Sequence, residues 1–233
     1  MVAEAGPRAG SRSGISLVGM TQDALEATHF LIDMDSTLVD SHHVVEWVWG
    51  EFAERHGLDR AEVLERCIGV PAIETLRHYL DDETLAQQEF RYILDQEEGA
   101  RQGIVEIPGA AAFVAALNPG QWALVTSATG TLARIRLELA GIQAPQVCVF
   151  GEDVSRGKPD SEPYRRAAEG VGVDPANCIV LEDSPAGVRS GLAAGARVVV
   201  VGPMDHFDDQ TPRIPDFRGI TPARVVELAS TSR

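Results

Sequence analysis

Among 233 residues there is one lysine, Lys158; every other basic residue is arginine or histidine. Basic groups are scarce altogether, 20 Lys and Arg against 35 Asp and Glu, for a formal net charge of −15. So acidic a chain lacks the positive patches that nucleic acid or anionic lipid requires, and neither is expected as a partner. Cysteine is sparse too: Cys67, Cys148 and Cys178 are odd in number and widely spaced. That excludes a disulfide framework and a zinc site, and reads as free thiols in a reducing compartment. No apolar run is long enough to span a bilayer, and residues 1–20, rich in Gly, Ser, Ala and Arg, lack the apolar core of a secretory signal. Residues 1–24 read as a flexible tail, and the expectation is a cytoplasmic, monomeric protein.

The chain does have ample apolar content, 44%, and a length that suits a core domain plus a smaller insert. Short apolar runs lie near 28–33, 122–126, 146–150, 178–182 and 197–201. Most are rich in Val, Ile or Leu, the composition of strands buried on both faces. Helical stretches fall between them near 130–140, 161–170 and 185–194. They start with Thr129 or Thr131, Asp160 or Ser161, and Ser184-Pro185, while Gly141 and Gly195 sit where helices end. The alternation from about Val105 onward predicts an α/β fold, a parallel sheet flanked by helices.

Residues 42–104 differ, with no clear strand-like run. Val44, Trp47, Val48 and Phe52 fall on one helical stripe closed by Gly57; Asp59 suits the cap of a second helix. A third helix is predicted over 73–80 and a long polar one over 82–98. About sixty residues exceed an ordinary crossover connection. We therefore expect an inserted all-helical domain at 42–104, with the core formed by 25–41 and 105–233.

Four stretches carry chemistry. Asp33-Met34-Asp35-Ser36-Thr37 follows the apolar His29-Phe30-Leu31-Ile32, so two carboxylates can converge at the carboxyl end of a strand, where α/β sheets bind ligands. One can act as nucleophile while the other moves protons. Trp122-Ala123-Leu124-Val125-Thr126-Ser127 is an apolar strand ending in hydroxyls. Gly157-Lys158-Pro159-Asp160 places the single ammonium, a compact charge suited to a phosphoryl oxygen or a carboxylate, in a breaker-rich turn. Cys178-Ile179-Val180-Leu181-Glu182-Asp183-Ser184-Pro185-Ala186-Gly187 is an apolar strand ending in two acids.

In this order the four stretches resemble the motifs of the haloacid dehalogenase-like (HAD) superfamily, over nearly the whole chain after residue 25. The resemblance implies a Rossmann-like core and assigns Asp33 as the nucleophile that becomes an aspartyl-phosphate. It makes Asp35 the general acid, then the base; Thr126 and the backbone from Ser127 onward bind phosphoryl oxygens, and Lys158 balances the charge. Mg²⁺ is implied between Asp33, the Asp35 main-chain carbonyl and Asp183, with Glu182 close by, ligating directly or through water. The helical insert resembles the cap of the sugar-phosphatase and β-phosphoglucomutase group. Pro108-Gly109, the Trp122 strand and the Lys158 and Asp183 motifs look like the yeast-type 2-deoxyglucose-6-phosphate and glycerol-phosphate phosphatases. The implied function is hydrolysis of a small phosphorylated metabolite, a sugar or polyol phosphate.

Other chemistries on this fold are weighed by single residues. Asp35 and the Glu182-Asp183 pair speak against metal-free dehalogenation, and the absence of a second lysine speaks against Schiff-base chemistry. A phosphosugar mutase is the alternative, with a non-catalytic binding module behind it. The mutase resemblance implies an arginine where Ala72 stands and a histidine at Val45. Ser36 stands where the family usually has glycine, and Asp40-Ser41 is expected to cap the first helix of the insert.

Overall fold

In a computed structural model, the described residues are 24–25, 28–203 and 211–231; apart from Ala24, the expected tail lies outside them. Strands β1 (His29–Ile32), β4 (Trp122–Val125), β5 (Val147–Val149), β6 (Cys178–Glu182), β7 (Arg197–Val201) and β8 (Arg213–Ile214) form one sheet in the order β5-β4-β1-β6-β7-β8. All the pairings are parallel, as the short branched runs imply. Side chains alternate between two apolar layers. Phe30, Ile32, Leu124, Leu181 and Val199 enter one, Leu31, Ala123, Val125, Val180 and Val198 the other. Helices α5 (Ala110–Ala115), α6 (Gly130–Leu139) and α9 (Pro222–Thr231) contribute Phe113, Ala133 and Val225 to the first layer. Helices α7 (Glu162–Gly170) and α8 (Pro185–Ala194) contribute Tyr164, Ala167 and Val188 to the second. Sequence and structure agree on this α/β architecture.

The helix signals act as expected at most starts. Thr129 Oγ1 accepts the Leu132 N–H, Ser184 Oγ accepts that of Gly187, and Gly195 ends α8 in the left-handed region at φ 90°. The insert is helical: α1 (His42–His56), α2 (Arg60–Cys67), α3 (Ala72–Tyr79) and α4 (Glu83–Gly99), with Asp59 and Asp82 capping α2 and α4. Its buried stripe on α1 is Val44, Val48, Trp49 and Phe52, whereas Trp47 is 43% exposed and its indole donates to Glu51. Both tryptophans satisfy a loose helical period; the face toward the site takes Trp49. A two-stranded antiparallel ribbon, β2 (Val39–Asp40) with β3 (Val105–Glu106), ties the entry and exit of the insert together. Such short strands leave no compositional signal, and the sequence reading missed them. No described helix is long and apolar enough to cross a membrane.

Candidate active site

The sheet order explains the convergence. β4, β1 and β6 are neighbours, and Thr126, Asp33 and Asp183 each follow one of them directly, so three motifs meet at one carboxyl edge. The Asp33 N–H donates to Leu181 O at 3.0 Å and the Thr126 N–H to Val149 O at 3.0 Å, extending the ladders to these two residues. The chain then turns sharply. Ser36 adopts φ 60° while its N–H donates to Val39 O at 2.7 Å, a left-handed conformation that glycine enters more easily. Serine holds the loop there at a backbone cost of about 1 kcal/mol.

Lys158 lies in the loop between β5 and α7 and is 1% exposed. Its Nζ donates to Asp33 Oδ1 at 2.5 Å, Glu182 Oε1 at 2.7 Å and Val125 O at 3.1 Å, using all three ammonium donors. Glu182 is saturated as well. Oε1 also accepts the Tyr164 hydroxyl at 2.9 Å, and Oε2 accepts Asp183 N, Ser184 N and Ser184 Oγ, each at 3.0 Å. Gly187 is required by this arrangement, since a Cβ there would lie 1.6 Å from Glu182 Oε1.

Negative charge exceeds the local positive charge. Oxygens of Asp33, Glu182 and Asp183 lie within 4.8 Å of one another, and Lys158 is paired with the first two only. Burial pushes the Asp33 carboxyl up to about 7 although Lys158 pulls it down. Burial, with Glu182 and Asp33 adding repulsion, also raises Asp183 well above the usual carboxylate range. Burial opposes the Lys158 charge, yet its two carboxylates hold its pKa above the ordinary lysine value. No described lysine or arginine forms an ion pair with Asp183; Thr37 Oγ1 donates to it at a long 3.4 Å. A hard divalent cation fits that donor set.

Asp35 faces a different environment. Its Oδ1 accepts Ser41 Oγ at 2.6 Å and Arg136 Nη1 at 2.8 Å. Ser41 therefore does not cap α1; Asp40 Oδ1 accepts the His42 N–H at 3.2 Å, and the serine hydroxyl is spent on the site. Arg136, buried on α6, also places Nη2 3.3 Å from Glu97 Oε2, on α4 of the insert. Sequence reading missed Ser41, Arg136, Glu97 and Tyr164. For Arg136 and Glu97 a signal existed. Arg136 shares the buried stripe of Leu132, Ala133 and Leu137, and Glu97 that of Ala86 and Ile93, so each charge sits on an apolar face.

The insert covers the carboxylates and encloses a cavity of about 390 Å³ lined by Asp33, Asp35, Thr126, Asp183 and Arg136 below. Above, Val45, Trp49, Ala72, Ile73, Phe90 and Leu94 make a largely apolar roof, with His42, Arg77, Gln87 and Glu97 as polar points. Ser127 Oγ donates to Gly69 O at 2.9 Å, so its side chain joins core to roof; the structure places all the motif residues around this one cavity edge, Lys158 and Glu182 beneath it. The loop at 69–71 sits tightly on the core. A Cβ on Gly157 would lie 2.4 Å from Pro71 Cγ, and one on Gly69 2.4 Å from Ser184 Oγ.

Comparison with known proteins agrees with this geometry. The family model for haloacid dehalogenase-like hydrolases matches residues 27–195. Hexitol phosphatase A of Escherichia coli (strain K12) is 44% identical over 190 residues, covering 79% of this chain and 86% of that protein. Glycerol-1-phosphate phosphohydrolase 2 of Saccharomyces cerevisiae is 30% identical over 198 residues, covering 79% and 78%. In fold, the chain is similar to a β-phosphoglucomutase from Clostridium difficile, with a TM-score of 0.74 at 19% identity, covering 87% and 97%. Four motifs at one sheet edge beneath a helical cap, and a model match across most of the chain, place it in the haloacid dehalogenase-like hydrolase family.

Proposed function

We propose that the protein is a Mg²⁺-dependent phosphatase that hydrolyses a sugar or polyol phosphate through an aspartyl-phosphate, with residues 42–104 as cap and 25–41 plus 105–233 as core. The observation that carries this reading is the Asp33 carboxylate: held by Lys158 through Oδ1, it opens on the same cavity as Asp35. A nucleophile needs a fixed lone pair toward the substrate, and a proton donor within reach of the departing oxygen. The similarity to hexitol and glycerol-phosphate phosphatases supports the substrate class.

Asp33 attacks phosphorus, and the P–O bond to the alcohol breaks with its electron pair leaving on the alcohol oxygen, which takes a proton from Asp35. Asp35 then accepts a proton from the water that attacks phosphorus in the phosphoenzyme; the bond between phosphorus and the Asp33 oxygen breaks with its electron pair returning to the carboxylate, and inorganic phosphate leaves. The Thr126 hydroxyl and the start of α6 bind phosphoryl oxygens, while Lys158 offsets the charge of Asp33 and the phosphoryl group. Asp33, Asp183 and the Asp35 main-chain carbonyl would hold Mg²⁺, which when bound supplies positive charge against the phosphoryl oxygens. The two Glu182 oxygens already accept five hydrogen bonds, so Glu182 would orient Lys158 rather than hold the ion directly.

Val45 and Ala72 stand where the mutase resemblance implies a histidine and an arginine, and neither can grip the second phosphate of a bisphosphate; Arg77, the guanidinium of the roof, is already held by Glu83. This favours water over a second sugar phosphate as acceptor. Phosphate release from a panel of sugar, polyol and aryl phosphates tests the function, with Asp33→Asn as the inactive control. No release from any ester, or conversion of β-glucose 1-phosphate mainly to glucose 6-phosphate, would overturn it.

A further inference from the structure

We propose that Arg136 is a positioning residue for Asp35, and that Glu97 makes this positioning depend on the cap being closed. The proposal rests on the phosphatase reading above. Arg136 is 3% exposed on α6, and its planar fork divides between two bodies: Nη1 to Asp35 of the core at 2.8 Å and Nη2 toward Glu97 of the cap at 3.3 Å. Ser41 Oγ reaches the same Asp35 oxygen at 2.6 Å. Two donors on Oδ1 fix the carboxyl plane, and no described residue donates to Oδ2, the oxygen left to exchange a proton with substrate.

Stability does not account for this guanidinium. A buried ion pair is often no better than apolar packing of the same volume, and here the stripe around Arg136 is Leu132, Ala133 and Leu137. An ion pair built for stability would also satisfy its donors, whereas Arg136 Nε is buried without a hydrogen-bond partner and Nη2 lacks good hydrogen-bond geometry to Glu97. What the arrangement does provide is a link. α4 lies against α6, so with the cap down Glu97 draws on one end of the guanidinium while the other end holds Asp35. With the cap away, Arg136 keeps Asp35 but loses the contact that sets its own orientation.

The test uses the leaving group. An alkoxide needs the proton of Asp35 as it departs; p-nitrophenolate is a stable anion and leaves without one. kcat/KM reports the step in which the alcohol departs, so Arg136→Met should lower kcat/KM for the best alkyl phosphate of the panel by about 100-fold or more. The same variant should change kcat/KM for p-nitrophenyl phosphate by less than about threefold, because general-acid help is absent from that step. Glu97→Gln, which preserves shape, should show the same selectivity at about tenfold; it carries the test if Arg136→Met does not fold. Equal losses on both esters would reduce Arg136 to a packing residue, and unchanged alkyl kinetics in either variant would overturn the link. A wild-type protein inactive on every ester is a different result, which removes the phosphatase reading itself.

Discussion

Replacing Glu182 by glutamine should cost this protein much of its stability. The carboxylate is fully buried and accepts five hydrogen bonds, two on Oε1 from Lys158 and Tyr164, and three on Oε2 from Asp183 N, Ser184 N and Ser184 Oγ. Glutamine offers one oxygen. Pointed at Lys158, it turns an NH₂ group against two main-chain N–H donors; pointed the other way, the NH₂ group meets an ammonium. The Ser184 and Tyr164 hydroxyls can rotate, but in the first orientation two fixed buried donors lose their acceptor, at about 1–3 kcal/mol each. Lys158 also loses one of its two anions, and breaking a buried pair costs about 3–5 kcal/mol when no partner remains. Asp33 remains, so we expect a total loss of about 3–5 kcal/mol. At about 2–4 °C per kcal/mol for a chain of this size, Tm should fall by about 10 °C. Urea and thermal unfolding followed by circular dichroism, with EDTA present so that metal binding adds nothing, measure it. A loss below about 1 kcal/mol would refute the anchoring role of Glu182. Gly187→Ala should reproduce much of the effect, because its Cβ would occupy the space of Glu182 Oε1.

Lys158→Arg should fail nearly as badly as Lys158→Met, with kcat down about 10²–10³-fold, since a planar fork cannot meet three acceptors gathered around one nitrogen; near-wild-type turnover of the Arg variant would demote the lysine to general electrostatics. EDTA should abolish phosphate release and Mg²⁺ restore it, while Ca²⁺, which takes more oxygens and can draw Asp33 into bidentate ligation, should support it poorly; full activity in chelator would refute the metal site. Burial pushes the Cys67 thiol up to about 12 and Cys178 up to about 11, so at pH 8 their thiolate fractions are about 10⁻⁴ and 10⁻³. Both should label slowly with a disulfide reagent in the native protein, about tenfold faster per pH unit gained, and at once in denaturant; prompt labelling at pH 8 would contradict the burial.

The motif residues were legible because chemistry dictates their type and the sheet dictates their meeting place. An acid two residues from another acid, a hydroxyl, a lone ammonium and an acid pair each sit at the end of a recognisable apolar run or in a breaker-rich turn. Any parallel sheet that brings those runs together delivers their ends to one edge. The rest was harder because periodicity names a face and not its partner. The stripe on α1 admits Trp47 or Trp49, and only the packing of α1 over the site selects Trp49. Ser41 reads as an N-cap because serine usually is one; its hydroxyl goes to Asp35 because Asp40 already serves the helix start.

Arg136 and Glu97 show where such reading can be sharpened. An arginine among leucines on one helix and a glutamate among alanine and isoleucine on another are each a local error, costing several kcal/mol if buried alone. Opposite charges at two such errors offset each other if the helices pack face to face, and α4 does lie against α6. A charged residue on an apolar stripe is therefore a question about the opposite stripe. Here the answer joins the cap to the core, and it does so through the side chain that also holds Asp35.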